Sequence, residues 1–263
     1  MSVQQHQSLK YLTFDSLQNQ ALKHAVFMRS GGVSAEPFNS LNLSRSVGDF
    51  DQNVAQNELL IFESFKRDIS SIADSYLEHG THAIYAESAY SSRNDQIQYA
   101  DILLTDNPDV TLFMRFGDCF PILLYDPNKH AIALAHAGWR GTLLGVAAEA
   151  VASMEAHFQS NPRDLIAAIG PGICVDHYEV GQEVIQAVQD KFDGNSERFL
   201  QENENGIHFD IAATNRFILN KAGVVHIDDC GICTSEHVQD WFSHRAERGK
   251  TGRFGVLMAL DPK

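Results

Sequence analysis

Apolar and polar residues alternate along this chain in two different periods. Val110 to Met114, Ile122 to Tyr125 and Ala131 to Leu134 are short apolar runs bounded by polar turns. Runs of that length fit covered strands better than helices. Leu165 to Ile169, Val224 to Ile227 and Phe254 to Leu260 read the same way. Elsewhere the spacing becomes helical. Leu143, Leu144, Ala147, Ala150, Val151 and Met154 predict one long helix from Leu143 to Phe158. Phe50 to Phe65 predicts another, with Asp49 or Asp51 as N-cap and Val54, Leu59, Phe62 and Phe65 on or near one face. Val180 to Asp190 and Ile211 to Lys221 read as helices, the first entered through Tyr178-Glu179 and the second capped by Gly223. Asn161-Pro162 marks a gap, and Asn203-Glu204-Asn205-Gly206 reads as a hairpin tip. Strands alternating with helices give an α/β class. No Pro, Gly or Ser-rich linker divides the 263 residues, so residues 1–263 are expected to form a single domain.

Composition narrows the partners. The chain has 34 acidic against 20 basic residues, a net charge of -14. That argues against a nucleic acid or an anionic membrane, which require concentrated Lys and Arg, but not against a small anion held by local Arg residues. Met1 to Lys10 has no apolar signal core and no run approaches the length of a membrane span, so a cytoplasmic protein is expected. Cys119, Cys174, Cys230 and Cys233 are too few for a disulfide framework and are expected to be reduced. Cys230-Gly231-Ile232-Cys233 has the spacing of a redox pair or half a zinc knuckle. It lacks a second such pair, and it follows a strand into a loop instead of opening a helix, so it reads as a loop without its own chemistry.

The richest segment is Ala135-His136-Ala137-Gly138-Trp139-Arg140-Gly141-Thr142. It puts an imidazole at the C-terminal end of a strand, where open α/β sheets collect ligands, and an Arg beside a helix start suited to an anion. The same residues also fit a Gly-rich turn with a core His and a surface Arg. Two other segments bear on that choice. Cys119 lies in Arg115-Phe116-Gly117-Asp118-Cys119-Phe120-Pro121, at a break between two strands. Glu78-His79-Gly80-Thr81-His82 offers His79 or His82 as a third donor. Three ligands from separate strand ends with an open fourth position is the pattern of a catalytic zinc site.

Further segments carry a resemblance over most of the chain: Arg29 to Ser34, Ser40 to Leu43 with Val47-Gly48-Asp49, His79-Gly80, Asp118-Cys119 with Pro121, His136 to Gly141, Gly170-Pro171 with Tyr178 to Gly181, Cys233-Thr234, Phe242 to Arg245 and Gly252-Arg253. In order and spacing the chain resembles the laccase-domain proteins, once called multicopper polyphenol oxidases and now regarded as zinc-dependent purine nucleoside phosphorylases. The resemblance implies an α+β fold of mixed sheets packed face to face with helices outside. It puts one zinc on His79, Cys119 and His136, with His82 only a neighbour, and copper at most an adventitious occupant. It also implies phosphorolysis of adenosine, inosine, guanosine and methylthioadenosine, with adenosine deaminase activity and no nicotinamide or flavin. The chain departs from the family pattern at Leu77-Glu78, where Gln-Val is usual, at Gly117, where Ala is usual, and at Ser46, where His is common. None of these departures removes a metal ligand, and those at Ser46 and Leu77 bear on the substrate pocket or its acid-base chemistry.

A Cys thiolate and two neutral imidazoles leave a divalent zinc with a net charge of about +1, suited to activating water or polarising an oxygen. Arg140 is the candidate for phosphate, and Asn42 and Arg45 are candidates for the nucleoside pocket, although Asn42 between two Leu residues also fits a role in satisfying backbone. Asp118 reads as a turn residue, or else as an acceptor behind a ligand His. Arg245 and Arg253 read as structural ion-pair partners. His24, His130, His157, His208, His226 and His237 read as surface or core residues. Three rivals remain: a thiol hydrolase using Cys119 as nucleophile and His136 as base without metal, a noncatalytic zinc-containing nucleoside-binding protein, and a copper oxidase, which would need more clustered ligands than three.

Overall fold

The structure is a computed structural model that describes residues 1–18, 20–91 and 98–262. In chain order the first half contains β1 (Ser2–His6), β2 (Leu9–Thr13), β3 (Leu22–Phe27), α1 (Asp51–Ser64), β4 (Ile72–Asp74), β5 (Ala83–Tyr85), β6 (Ile102–Thr105), β7 (Thr111–Phe116), β8 (Phe120–Asp126) and β9 (Ala131–Ala137). The second half contains α2 (Trp139–Leu144), α3 (Val146–Phe158), β10 (Ile166–Ile169), α4 (Gln182–Lys191), β11 (Leu200–Asn203), β12 (Gly206–Phe209), α5 (Ile211–Lys221), β13 (His226–Asp229) and β14 (Phe254–Leu260).

Two six-stranded sheets form, in the orders β1-β2-β3-β14-β7-β4 and β13-β10-β8-β9-β6-β5. Most pairs are antiparallel, while β4–β7, β5–β6 and β10–β13 are parallel. The sheets face each other. Leu12, Val26, Leu112, Met114, Val256 and Met258 of one pack with Leu103, Leu123, Ile132, Leu134 and Ala168 of the other. Alternate residues face outward, as the period of two requires. Ile122, Leu124, Ala133 and Ala135 lie under Ala147, Val151 and Met154 of α3. Ala25, Phe27, Phe113 and Leu257 lie under Ile61 and Phe62 of α1. The expected mixed sheets with outer helices are therefore present. Among the described residues no helix is long and apolar enough to cross a membrane.

Several elements differ from the pattern-based reading. The helix expected from Leu143 to Phe158 is two helices, because Gly145 takes a left-handed backbone (φ 99°) that ends α2 and starts α3. Phe50, not an Asp, occupies the N-cap of α1, while Asp49 accepts hydrogen bonds from Ser34, Asn42 and the Phe50 amide. The buried face of α1 includes Asn57 and Glu58, and Leu59 points outward. Tyr178-Glu179 does not open a helix, since α4 begins at Gln182 and Glu179 instead bridges His208. Asn203 to Gly206 does form the hairpin tip, between β11 and β12.

Candidate active site and metal cluster

β7 and β8 follow one another in sequence but belong to different sheets. Gly117-Asp118-Cys119 is the crossing between them, and Asp118 turns it with a left-handed backbone (φ 79°). Its carboxylate accepts hydrogen bonds from the Thr234 hydroxyl and the Arg245 amide, both at 2.7 Å, so Asp118 pins the turn and does not back a ligand His. On β9 the alternation that points Ile132 and Leu134 inward also points His136 inward, at the end of the core between the sheets. Neighbouring β8 and β6 run antiparallel to β9. The site thus sits where the ends of two facing sheets meet, not at the C-terminal edge of an open parallel sheet.

His79, Cys119 and His136 converge there, with their donor atoms all within 4.8 Å of one another. His136 is buried, Cys119 half-buried and His79 exposed. One carboxylate that the sequence reading did not single out organises the group. Asp101, fully buried just before β6, takes a hydrogen bond from His136 Nδ1 at 2.8 Å. It also accepts from the amides of Glu78, His79 and Gly80 at 3.2, 3.1 and 2.8 Å. Asp101 therefore fixes the tautomer and ring orientation of one His and the backbone carrying the other. The only hint in the sequence was a single acid placed directly before an apolar run. His79 has a left-handed backbone (φ 61°), held by those amide bonds. His82 bonds the Tyr99 carbonyl through Nδ1, which turns it away from the cluster.

The donor set fits a thiophilic cation. A Cβ added at Gly138 would stand 3.0 Å from both Cys119 Sγ and His79 Cδ2, so the glycine keeps open a cradle that a side chain would fill. Burial disfavours the Cys119 thiolate, but the His136 charge and hydrogen bonds from both His residues outweigh it and bring the thiol down to about 6. Thiolate character is what a metal ligand requires.

Above the cluster opens a cavity of about 720 Å³. It is lined by five arginines, Arg45, Arg115, Arg140, Arg245 and Arg253, in a chain of net charge -14. Two of these are neutralised by α1 and β4. Glu58 is fully buried and bonds Arg45 at 2.8 and 3.1 Å and Arg115 at 2.9 Å, and Asp74 meets Arg115 at 2.8 Å. Arg140 lies in the first turn of α2, stacked over Trp139 and paired with Glu183 at 3.0 Å on the exposed rim. Arg245 and Arg253 are not the structural ion-pair partners expected of them. Among the described residues their guanidinium groups bond main-chain carbonyls, of Glu179 for Arg245 and of Thr251 and Gly252 for Arg253, and Arg253 also lies 3.3 Å from His244 Nδ1. Gly117 makes room for this arrangement, because a Cβ there would come within 2.8 Å of Arg253 Cδ.

Ser46 and Leu77, two further departures from the family pattern, also line the cavity, as do Tyr76, Trp139 and Tyr178. Asn42 does not. It is fully buried, where it donates to Asp49 and Ser44 and accepts from the amides of Ser44 and Arg253. It shapes the loop behind the wall and is a structural residue.

The chain belongs to the multi-copper polyphenol oxidoreductase laccase family, whose model matches residues 23–261. It is 35% identical over 242 residues to a protein of Deinococcus radiodurans named purine nucleoside phosphorylase, covering 92% of this chain and 90% of that one. A protein of the same name from Bacteroides thetaiotaomicron is 31% identical over 260 residues, covering 95% and 96%. Among solved structures, YlmD from Geobacillus stearothermophilus matches with a TM-score of 0.91 at 28% identity over 99% of both chains. The hypothetical protein YfiH of Bacillus licheniformis matches at 0.88 and 31% over 97% of both.

Proposed function

We propose that this protein is a zinc-dependent purine nucleoside phosphorylase, active on adenosine, inosine, guanosine and methylthioadenosine, with a second activity as an adenosine deaminase. One observation carries the reading: a single cavity sets a His-Cys-His donor group against two guanidinium groups free of carboxylate partners among the described residues. Relatives named purine nucleoside phosphorylase at 31–35% identity support it.

Phosphorolysis breaks the bond between the sugar C1′ and the purine, forms a bond from C1′ to a phosphate oxygen, and leaves the electron pair on the base. Arg245 and Arg253 are placed to hold the phosphate in the bidentate manner of guanidinium groups, with Arg140 at the rim. Trp139 and Tyr178 supply aromatic wall to the cavity, each with an arginine stacked on its ring. Burial and the nearby Cys119 push the Tyr178 phenol up to about 12, so it stays protonated and is a candidate donor to the departing base. In deamination, a water oxygen bonds to the purine carbon that bears the amino group, and ammonia leaves. His79, Cys119 and His136 would hold zinc, which when bound supplies Lewis acidity for such a step. The reading takes residues 1–263 as one cytoplasmic catalytic domain, in which β14 lies between β3 and β7 and so ties the two ends of the sheet together.

A second reading has its own support. Cys119, His136 and Asp101 are also arranged as nucleophile, base and orienting carboxylate of a metal-free thiol hydrolase. A copper oxidase fits less well, since it would need several copper centres with many more clustered ligands than the three that meet at the cavity. The deciding experiment measures metal in protein purified without a histidine tag, then incubates it in phosphate with adenosine or inosine and separates base, ribose 1-phosphate and deaminated product. About one zinc at this site with phosphate-dependent base release supports the proposal. Activity that persists in chelator and is abolished by thiol alkylation replaces it with the hydrolase.

A further inference from the structure

The parallel pair β10–β13 leads into two loops that run on side by side. Ile169 is paired with Asp229, and Gly172 bridges Cys233 a few residues later. The Gly172 amide donates to the Ile232 carbonyl, and the Thr234 amide to the Gly172 carbonyl at 3.0 Å. This continued register brings Cys233 beside Cys174, which lies outside its CxxC motif, while Cys230 is buried in the core between the sheets. His177 completes the group. Its Nδ1 is 3.2 Å from Cys174 Sγ and 3.6 Å from Cys233 Sγ, and the three donor atoms lie within 4.8 Å of one another. The Cys174 amide donates to Cys233 Sγ at 3.2 Å. None of the three lines the cavity.

We propose that Cys174, His177 and Cys233 form a second metal site, taking zinc or a similar thiophilic divalent cation, which clips the loop after β10 to the loop after β13. Zinc bonds of about 2.0–2.3 Å in a tetrahedron place neighbouring donors about 3.5 Å apart, close to the observed N–S separations. A disulfide between the two sulfurs would leave the imidazole without a part in the group. Both sulfurs would bind as thiolates, so taking up the cation releases their protons to solvent. His177 is exposed and Cys174 half-exposed, which leaves a coordination position open to water. The clip matters to the cavity, because both ends of its loop, Ile173 and Tyr178, are wall residues and the Ile173 amide bonds the Asp118 carbonyl at 2.8 Å.

The test is metal counting on the full chain. Wild type, C119S/H136A, C174S/C233S and the fourfold variant are stripped with chelator, reloaded with Zn2+ under reducing conditions, passed through gel filtration and assayed for bound metal. The expected counts are about two, one, one and zero per chain. C119S/H136A should also bind Co2+ with thiolate-to-cobalt charge-transfer absorption that the fourfold variant lacks. Because C119S/H136A has lost the cavity donors, metal in it reports this site whether or not the cavity reading holds. If that variant does not fold, the difference between wild type and C174S/C233S decides. Equal zinc in those two proteins, or a folded C119S/H136A that takes up no metal, overturns the proposal. Purified protein that shows only two of its four thiols until reductant restores the other two, and that takes no second zinc once reduced, overturns it in favour of a Cys174–Cys233 bridge.

Discussion

His79, Cys119 and His136 stand on backbone that the fold itself holds in place. His136 lies within a central strand, Cys119 in a turn pinned by Asp118, and His79 on a segment whose amides converge on Asp101. Arg245 and Arg253, across the same cavity, extend from the loop after Trp241 and rest on carbonyl oxygens. A metal site tolerates little positional error, whereas a flexible guanidinium can adjust to an anion, and on the proposed reading the two sides of the cavity answer those different requirements. If so, changes on one side should lower metal retention and changes on the other should raise the phosphate requirement, with little crossover.

The largest effect is expected from Cys119→Ser or His136→Ala, which should remove the cavity zinc, one metal per chain, and lower kcat/KM by about 100-fold or more, since a metal contributes several kcal/mol to charge stabilisation. Steady-state assays paired with elemental analysis check this, and turnover that survives metal loss would put the thiol reading ahead. Asp101→Asn should weaken zinc binding by about 10- to 100-fold in chelator competition while every first ligand remains. Wild-type affinity in that variant would mean the positioning carboxylate is dispensable. Arg245→Met should raise the KM for phosphate about tenfold, the equivalent of one charge-assisted hydrogen bond, with zinc content unchanged. Loss of zinc there would erase the division between the two sides. The smallest effect belongs to Gly117→Ala. The added methyl should displace Arg253 and raise the phosphate KM a few-fold, and no change would show that Arg253 finds an equivalent pose.

The division also decided what was legible in the sequence. The strand carrying His136 and the turn carrying Cys119 are local patterns of apolar runs and breaks, and they could be read without the fold. Asp101 could not, because its importance lies in four hydrogen bonds to groups 21 to 35 residues away in sequence. The roles of Arg245 and Arg253 depend on which carboxylates fail to reach them, and single-residue reading defaults to an ion pair. Asn42 was ambiguous for the opposite reason: a side-chain amide satisfying buried backbone looks in sequence like one facing a pocket. Gly145 was passed over because the helical periodicity continues on both sides of it. Cys174 and Cys233 meet only through the parallel register of β10 and β13, so a CxxC spacing drew attention to the wrong partner.

β14 has a consequence for how the molecule comes into being. Its residues Phe254–Leu260 lie between β3 (Leu22–Phe27) and β7 in the middle of a sheet, so that sheet is closed by segments from opposite ends of the sequence. Such long-range pairing makes folding slow, since the entropy of joining distant segments is lost before their contacts form. Arg253, the residue immediately before β14, reaches the cavity with that closure. A partly folded intermediate lacking β14 would have the turn that carries Cys119 unsupported on one side and Arg253 outside the cavity, so activity under the proposed reading should appear in a single late kinetic phase, together with the native signal of the closed sheet.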